Sequence, residues 1–506
     1  MGQAGVPSDL TPLKEPLIEA VTNAYMAKLV PSTGPFEYAE GSCQEGEFRY
    51  KHSRFGLDDK VYCSYPDGQW KVDQLLDPDD DRSPGDHVGD ELTLFDAAAK
   101  FQEIREEVSK WVDPWIACAD PNEFTAELQA LASIIDQLYV QGEVRLGGNP
   151  VAGGDSSGTT SMPVTDVQSA IADMGSELSS LNGLAIDALE RAYVNDVGLT
   201  ISGQRALAAV AGLAVAGEAE AWSRAYANLT EFITKATHDF EVFSGVDQEE
   251  GDGGKTALTV VSGAATAAAA ATFEFPPAAV TFGVIAGLAA IGSAFWPGGE
   301  ESAPATLIAL EGGDFGAVWE SFGLGIRGID SELTQAEYSL AMMCRNAIAD
   351  LSTHPDSFSI TAKGPGGVPQ AGDNLPRFLN TEGDSAPIEL YAGDDITIVH
   401  HKLKTVAGLV EHVGNHQRTV AGSLGAADSD AGWSRGTLQG TVIGWGPTGH
   451  HADTSVVLDT LTDLLLTESR TAHRVAEQCL DISTGFRLTD DQIEARLDLL
   501  EQGVGG

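Results

Sequence analysis

The most regular pattern in the chain lies near its C-terminal end, where apolar residues alternate in steps of three and four. Two such runs follow one another, the first beginning after the helix-capping pair Asp394–Asp395. Each run covers 28 steps, or about 42 Å of α-helix. Two heptad seams of equal length predict two long helices packed antiparallel in coiled-coil fashion. Including the polar members Gln417 and Glu468, the seams are Ile396, Val399, Leu403, Val406, Val410, Val413, Gln417, Val420 and Leu424, then Leu458, Leu461, Leu465, Glu468, Ala472, Val475, Cys479, Ile482 and Phe486.

A second unusual pattern is the nearly uncharged stretch 256–299. Only Glu274 and a Pro-Pro break interrupt it, and its many Ala and Gly residues permit close helix approach. The stretch predicts a hydrophobic helical hairpin with arms close to membrane-spanning length. A hairpin buried in a bundle or an oligomer contact is the first interpretation, and membrane insertion is the alternative. The residues assigned to this membrane or oligomer hairpin are Phe273, Phe275, Pro276, Pro277, Gly283 and Gly287.

The remaining patterns divide the chain into further regions. The segment Lys60–Tyr65 alternates like a strand and runs into a Pro-Asp-Gly turn, and 147–162 has the composition of a linker. Phe358–Ile360 and Pro387–Tyr391 are also strand-like. The predicted regions are a helix with a small β element at 1–90, a helical bundle at 91–243, the hydrophobic hairpin at 255–299, a helix with a Pro/Gly-rich excursion at 300–392, and the long hairpin at 393–506.

Composition supports a mainly α, multi-helix fold with small β or irregular insertions. Hydrophobic residues make up 42% of the 506 residues and aromatic residues only 7%, which is too few for an all-β protein of this size. The net charge of −46 would repel a nucleic-acid backbone and oppose approach to anionic lipid. We therefore expect no nucleic-acid partner.

Candidate chemistry is sparse. The five cysteines form no C-x-x-C pair, and of these Cys43 and Cys63 could form a disulfide in an exported protein, whereas Cys344 and Cys479 fit buried helical positions. The histidine pairs at 400–401, 412 and 416, and 450–451 lack a third metal ligand, so solvated surface positions are the better interpretation. Segments resembling a serine-protease nucleophile, a phosphate-binding loop and a calcium loop each lack required residues. We predict no catalytic, cofactor or metal site.

Two short motifs resemble those of the WXG-type helical-hairpin proteins of type VII (ESX) secretion. Between the two seams lie Trp433-Ser434-Arg435-Gly436 and Trp445-Gly446, and the second seam ends in Phe486-x-x-x-Asp490. The resemblance implies that Trp433, Gly436 and Trp445 belong to a turn or partner contact. It also implies that Phe486 and Asp490 form part of an export signal. Phe486 stands where Tyr is usual, Trp433 has one residue too many before its Gly, and the connection between the helices is longer than a tight turn.

These patterns lead to three functional hypotheses. The first is a non-catalytic protein exported by, or associated with, type VII secretion that oligomerises with itself or binds a helical partner protein. This hypothesis agrees with an N-terminus that lacks the features of a Sec signal peptide. The second is an α-helical pore-forming or membrane-active protein that uses the 256–299 stretch. The third is an intracellular helical scaffold, so cell-envelope, secreted and cytoplasmic locations all stay open.

Overall fold

The computed structural model is mainly helical, which confirms the predicted fold class. Side chains are described for most of the helical core, whereas only the backbone is described for the short strands β1–β7 and for residues 485–504. The residues that the structure describes are 5–29, 37–38, 48–52, 60–64, 97–118, 120–140, 144–146, 149–151, 165–181, 186, 189–244, 257–260, 306–309, 315–360, 394–430 and 432–504.

Long helices dominate the described residues. Short antiparallel strands lie between them as β1–β2–β3 and as the pairs β4–β5, β6–β7 and β8–β9. The helices are α1 (Thr11–Leu29), α2 (Ala97–Ile116), α3 (Thr125–Gln137), α4 (Asp166–Leu178), α5 (Asn195–Ser244), α6 (Phe315–Thr353), α7 (Asp394–Ser423) and α8 (His451–Val504). The strands are β1 (Glu37–Tyr38), β2 (Phe48–His52), β3 (Lys60–Ser64), β4 (Val144–Leu146), β5 (Asn149–Val151), β6 (Ala257–Val260), β7 (Thr306–Ala309), β8 (Thr437–Leu438) and β9 (Thr441–Val442).

Helix α5 is the central helix of the fold. Every residue from 200 to 222 is buried, so this half of the helix is enclosed on all faces. Among the described residues it is the one helix long and apolar enough to cross a membrane, and 94% of its most apolar window is buried inside the fold. That degree of burial is typical of the core helix of a globular protein.

Helix α6 runs antiparallel to α5. Phe232 of α5 stacks on Phe322 of α6 with ring centroids 5.6 Å apart, and Phe240 lies 6.2 Å from Phe315 near the ends of both helices. Just beyond these ends, β6 pairs with β7 from Ala257↔Ala309 to Val260↔Thr306. The chain between the two strands therefore leaves and returns at one end of the α5–α6 pair.

The apolar core forms two clusters that share α5 and α6. One cluster contains α3, α4, the first half of α5, the second half of α6, and the α7–α8 pair. The other contains α1, α2, the second half of α5 and the first half of α6. We call them the hairpin core and the N-terminal core. Because α5 and α6 pass through both clusters, these two helices join the halves of the molecule.

Helices α7 and α8 lie side by side in opposite directions. His400 of α7 is level with Ser483 of α8, and Gly414 packs against Ala472. All described seam side chains are buried except half-buried Ile482, including the polar Gln417 and Glu468. The predicted burial of Cys479, and of Cys344 in α6, is confirmed, since both are 0% exposed.

Several predictions from the sequence are corrected by the backbone. Residues 257–260, predicted as the start of the hydrophobic helical hairpin, form strand β6, because their backbone groups pair with β7. Phe358–Ile360, predicted as strand-like, instead follows a 3₁₀ turn at Pro355–Ser357 and is buried. Within the predicted linker, 149–151 forms strand β5. The hairpin residues Phe273, Phe275, Pro276, Pro277, Gly283 and Gly287, the segment Pro387–Tyr391 and Cys43 lie outside the described residues.

Candidate functional site

The connection between α7 and α8 crosses from one core to the other. We call residues 432–450 the strap. Strands β8 and β9 form a small hairpin within the strap, turning at Gln439 and Gly440, which have φ angles of 49° and 88°. Leu438 and Ile443 flank this turn and are buried in the N-terminal core. The strap therefore carries the hairpin core's own connection into the opposite half of the molecule.

Trp433 anchors the start of the strap in the interior. Its side chain is 1% exposed, and its ring packs edge-on against Phe124 at 5.1 Å and against His450 at 5.0 Å between centroids. The backbone N–H of the preceding Gly432 donates to Glu123 Oε2 at 3.1 Å. Trp433 is thus a packing anchor within this fold, and no part of its ring is presented to a surface partner.

Gly436 allows the strap to touch the end of α2. Its N–H donates to Cys118 Sγ at 3.1 Å, and a Cβ built at this position would lie 2.1 Å from the carbonyl oxygen of Pro114. A backbone oxygen cannot move aside as a flexible side chain can. Glycine is therefore required here by close approach, although its φ is not positive.

Arg435, between these two anchors, enters the space between α5 and α6. Its Nη2 donates to Glu218 Oε1 of α5 and, at 3.0 Å, to Glu337 Oε1 of α6. The guanidinium carbon lies 4.5 Å above the centre of the Trp222 ring. All three charged side chains are 0% exposed. One guanidinium is therefore shared by two carboxylates from two different helices.

Trp222 and the strap backbone supply the remaining donors. The Trp222 indole N–H lies 2.9 Å from Glu218 Oε1 and 3.0 Å from Glu337 Oε1. The N–H of Trp445 donates to Glu337 Oε2, and the Trp445 ring, half-buried, packs edge-on against Tyr338 at 4.9 Å. The second end of the strap is thus fixed to α6 through the same carboxylate that binds Arg435.

His450 closes the cluster at the start of α8. Its Nε2 lies 3.1 Å from Glu218 Oε2, and its Nδ1 lies 3.0 Å from the Thr454 hydroxyl. Burial lowers the pKa of His450 to about 4, although the carboxylate of Glu337 opposes this change. The ring is therefore neutral at physiological pH and does not act as a second cation.

The surroundings of Glu337 disfavour its ionised form. Burial raises the pKa of Glu337 well above its usual range, and the nearby Glu218 raises it further, while Arg435 lowers it. Burial also raises the pKa of neighbouring Glu127 to about 8, with Asp428 and Glu218 adding to the effect. With a pKa of about 8, the Glu127 carboxyl carries a proton at neutral pH.

The arrangement can hold a proton, but it is closed to substrates. The side chains of Glu218, Glu337, Arg435 and His450 are all fully buried, so no ligand reaches them while the strap is in place. Among the described residues, no group of three or more His, Cys, Asp or Glu side chains is placed to hold a metal ion.

A second buried polar layer ties the α7–α8 pair to its neighbours. Glu468 Oε1 accepts hydrogen bonds from the Ser359 hydroxyl at 2.5 Å and from the Ile360 N–H at 3.0 Å. Gln417 Nε2 lies 3.5 Å from Oε1 of Gln204 on α5. The two polar seam positions thus bind segments outside the helical pair.

The histidines differ from the predicted surface arrangement at one position. His401 and His412 are exposed, as predicted for solvated side chains. The half-buried His416 lies 2.9 Å from the Gln137 carbonyl, and His400 contacts Ser483. His450, predicted as a surface residue, is 0% exposed because the strap turns it inward against Trp433 and Glu218.

The predicted export element lies within α8. The backbone of residues 486–490 is helical, so Phe486 and Asp490 are separated by about one helical turn. The structure does not bring these residues together with Trp433, because α8 carries them away from the strap along its full length.

Sequence reasoning missed Glu218, Glu337 and Arg435 as a group, because 98 residues separate Glu337 from Arg435 and 217 separate Glu218 from it. One signal was available. Glu218 follows an uncharged run from 206 to 217, and a carboxylate at the end of such a run on a helix needs a buried partner.

Comparisons with known proteins do not identify the chain. Its sequence matches no protein-family model, and searches of curated proteins and of solved structures found no match.

Proposed function

We propose that this chain is a non-catalytic helical protein, exported by or associated with type VII secretion, that acts through oligomerisation or by binding a helical partner. The observation that carries this proposal is the geometry of α7 and α8. Because His400 is level with Ser483, the first residue of α7, Asp394, is level with position 489 of α8. Helix α8 continues to Val504, so its last fifteen residues extend about 22 Å beyond the start of α7.

The residues Phe486 and Asp490 lie where α8 leaves the paired region. An aromatic-x-x-x-acid element at the far end of a helical pair is the arrangement that the WXG-type resemblance implies for an export signal. The strap counts against a simple member of that group, because it is a buried crossing and not a tight turn. Any export role therefore belongs to the end of α8 and not to Trp433.

The export experiment compares release from a host that has a type VII system with release from the same host lacking it. Phe486→Ala and Asp490→Ala should each leave the protein in the cell. Asp481→Ala is the matched control, since Asp481 is an exposed acid on the same helix. Equal release of all four proteins, or release that does not require the secretion system, would refute the proposal.

A second candidate function, membrane activity, is favoured by the position of β6 and β7. These strands pair just beyond the ends of α5 and α6, so the 45 residues from 261 to 305 leave and return at one point. This segment contains most of the nearly uncharged 256–299 stretch. An apolar segment whose two ends are held together by a strand pair is suited to presentation at a lipid surface.

Dye release from phosphatidylcholine vesicles tests the membrane hypothesis, since a zwitterionic surface does not repel a chain of charge −46. Ala267→Glu and Gly287→Glu should abolish release if the segment inserts. Ala303→Glu is the matched control, because it adds the same charge after the apolar stretch ends. Absence of vesicle binding by the wild-type protein at any pH would exclude this function.

A further inference from the structure

The buried cluster contains one more negative than positive charge unless it takes up a proton. Glu218 and Glu337 are carboxyls, Arg435 is the single guanidinium between them, and His450 is neutral. Their Oε1 atoms accept from the same two donors, Arg435 Nη2 and the Trp222 indole N–H, and are therefore held close together. Two carboxylates that share donors in a dry site cannot both be ionised, so the pair binds one proton.

The neighbouring groups do not supply the missing positive charge. The charged and titratable groups around the cluster are the thiol of Cys118 after α2, the carboxyl of Glu127 on α3, the phenol of Tyr226 on α5, the carboxyl of Asp330 on α6, and the carboxyls of Asp428 before the strap and Asp453 on α8. Each of these groups is neutral or negative. The imidazole of His451 packs on Trp433 and lies 3.3 Å from Asp428, so it faces that carboxyl and not Glu218 or Glu337. Asp453 is compensated by Arg345, which donates to it at 2.7 Å outside the cluster. A proton is therefore the available way to neutralise the two carboxyls.

The same carboxyls hold both ends of the strap. Glu337 binds Arg435 at the start of the strap and the Trp445 N–H near its end, and Asp330, on the same helix, accepts from the Gly444 N–H at 2.8 Å. Glu218 binds Arg435 and lies beside His450, the last strap residue. When the strap is released, both carboxyls become accessible to water and no longer need to share a proton. Strap docking and proton binding are therefore coupled.

We propose that the strap is a proton-dependent clasp, which docks between α5 and α6 with one proton shared by Glu218 and Glu337 and is released progressively as rising pH removes that proton. Release separates Leu438 and Ile443 from the N-terminal core and so removes the strap's own link between the α7–α8 pair and the α1–α2 half, which α5 and α6 continue to join. The clasp is independent of the export and membrane proposals, because it requires only groups inside the fold.

Hydrogen exchange of the full-length protein, read by mass spectrometry on peptides covering the strap, tests the clasp. Protection of the strap amides, corrected for the intrinsic pH dependence of exchange, should fall by up to tenfold per pH unit as pH rises above about 4.3, the ordinary carboxyl pKa of the released state. The fall should level off once pH exceeds the upper pKa of the docked pair, and the measurement runs from about pH 5 to pH 9.5. Amides in the middle of α7 should keep their protection. A strap whose protection is constant over this range would overturn the proposal.

Glutamine variants test whether the pH dependence of strap protection comes from Glu218 and Glu337. Glu337→Gln keeps a similar shape but needs no proton, so its strap protection should not depend on pH, and Glu218→Gln should behave in the same way. Glu320→Gln removes an exposed carboxyl from the same helix α6 and should retain the wild-type profile. If both cluster variants still lost protection at high pH, the titrating group would lie elsewhere, Glu127 being the nearest candidate, and the clasp would be wrong.

Discussion

Replacing Arg435 by methionine removes the single cation of the buried cluster while keeping much of the apolar stem of the side chain. Glu218 and Glu337 then remain in a site with 0% exposure, with Trp222 as a donor to both. In the wild type one proton neutralises one carboxyl and Arg435 compensates the other. In the variant the second carboxyl must also bind a proton or remain as an uncompensated buried charge.

The free-energy cost of binding that second proton sets the size of the expected destabilisation. Protonating a carboxyl with an ordinary pKa at pH 7 costs about 4 kcal/mol, since each unit between pH and pKa is worth about 1.4 kcal/mol. This value agrees with the roughly 3–5 kcal/mol lost when one partner is removed from a buried ion pair. Loss of the Arg435–Trp222 contact adds about 1 kcal/mol. We therefore expect Arg435→Met to lower the free energy of unfolding by about 5 kcal/mol at pH 7.

The pH dependence of this cost distinguishes the charge argument from a simple packing defect. At pH 5 the second proton costs only about 1 kcal/mol, so Arg435→Met should cost about 2 kcal/mol there. Urea unfolding of wild type and variant at pH 5 and pH 7 measures the loss in free energy of unfolding at each pH, with the same dependence on urea concentration assumed for both proteins. In a background that carries both Glu218→Gln and Glu337→Gln, Arg435→Met should cost much less at pH 7, because no carboxyl is left to bind a further proton. Arg345→Met, which breaks an exposed pair with Asp453, is the control.

An equal cost at pH 5 and pH 7 would refute the reasoning, because a lost packing contact does not depend on the protonation of Glu218 or Glu337. An undiminished cost in the background with both Glu218→Gln and Glu337→Gln would refute it as well. Either result would mean that Arg435 stabilises the strap by shape and not by charge.

Three further predictions concern single positions. Gly436→Ala should destabilise the protein by about 2 kcal/mol in urea unfolding, because its Cβ would overlap the Pro114 carbonyl oxygen. Glu468→Ala should cost about 1–3 kcal/mol in the same assay, because it leaves the buried N–H of Ile360 without its acceptor. His450 has a folded pKa of about 4, below its unfolded value, so its contribution is present above about pH 6.5 and is lost as pH falls to 4. Relative to His450→Gln, the wild type should lose about 3 kcal/mol across that window in acid titration.

The sequence was sufficient to predict the helices in which apolar residues recur at a regular helical spacing. The seams of α7 and α8 recur every three or four residues, and their described members are buried. Strand β6 was not predictable from its own residues, because an apolar run such as Ala257–Val260 suits a helix as well as a strand. Its partner, β7, lies 46 residues later at Thr306–Ala309, and only that long-range pairing decides the strand.

The candidate site could not be predicted from the sequence for a related reason. Trp433 and Gly436 were recognised as a short motif, but their neighbours Phe124, just before α3, and Pro114, within α2, come about 300 residues earlier. His450 was assigned to the surface because no third metal ligand accompanies the 450–451 pair, yet the fold of the strap buries it. Burial of a residue in a connecting segment depends on what that segment crosses, and local periodicity carries no information about this.

Apolar packing alone does not determine how the α7–α8 pair sits on the rest of the fold, because heptad seams can slide by one repeat at modest cost. The buried polar contacts exclude such a slide. Moving α8 by one repeat would break the hydrogen bonds from Ser359 and Ile360 to Glu468, and moving the strap would break those from Arg435 to Glu218 and Glu337. The polar members of the seams and of the strap thus fix the position of the pair, while their apolar neighbours supply most of the buried area.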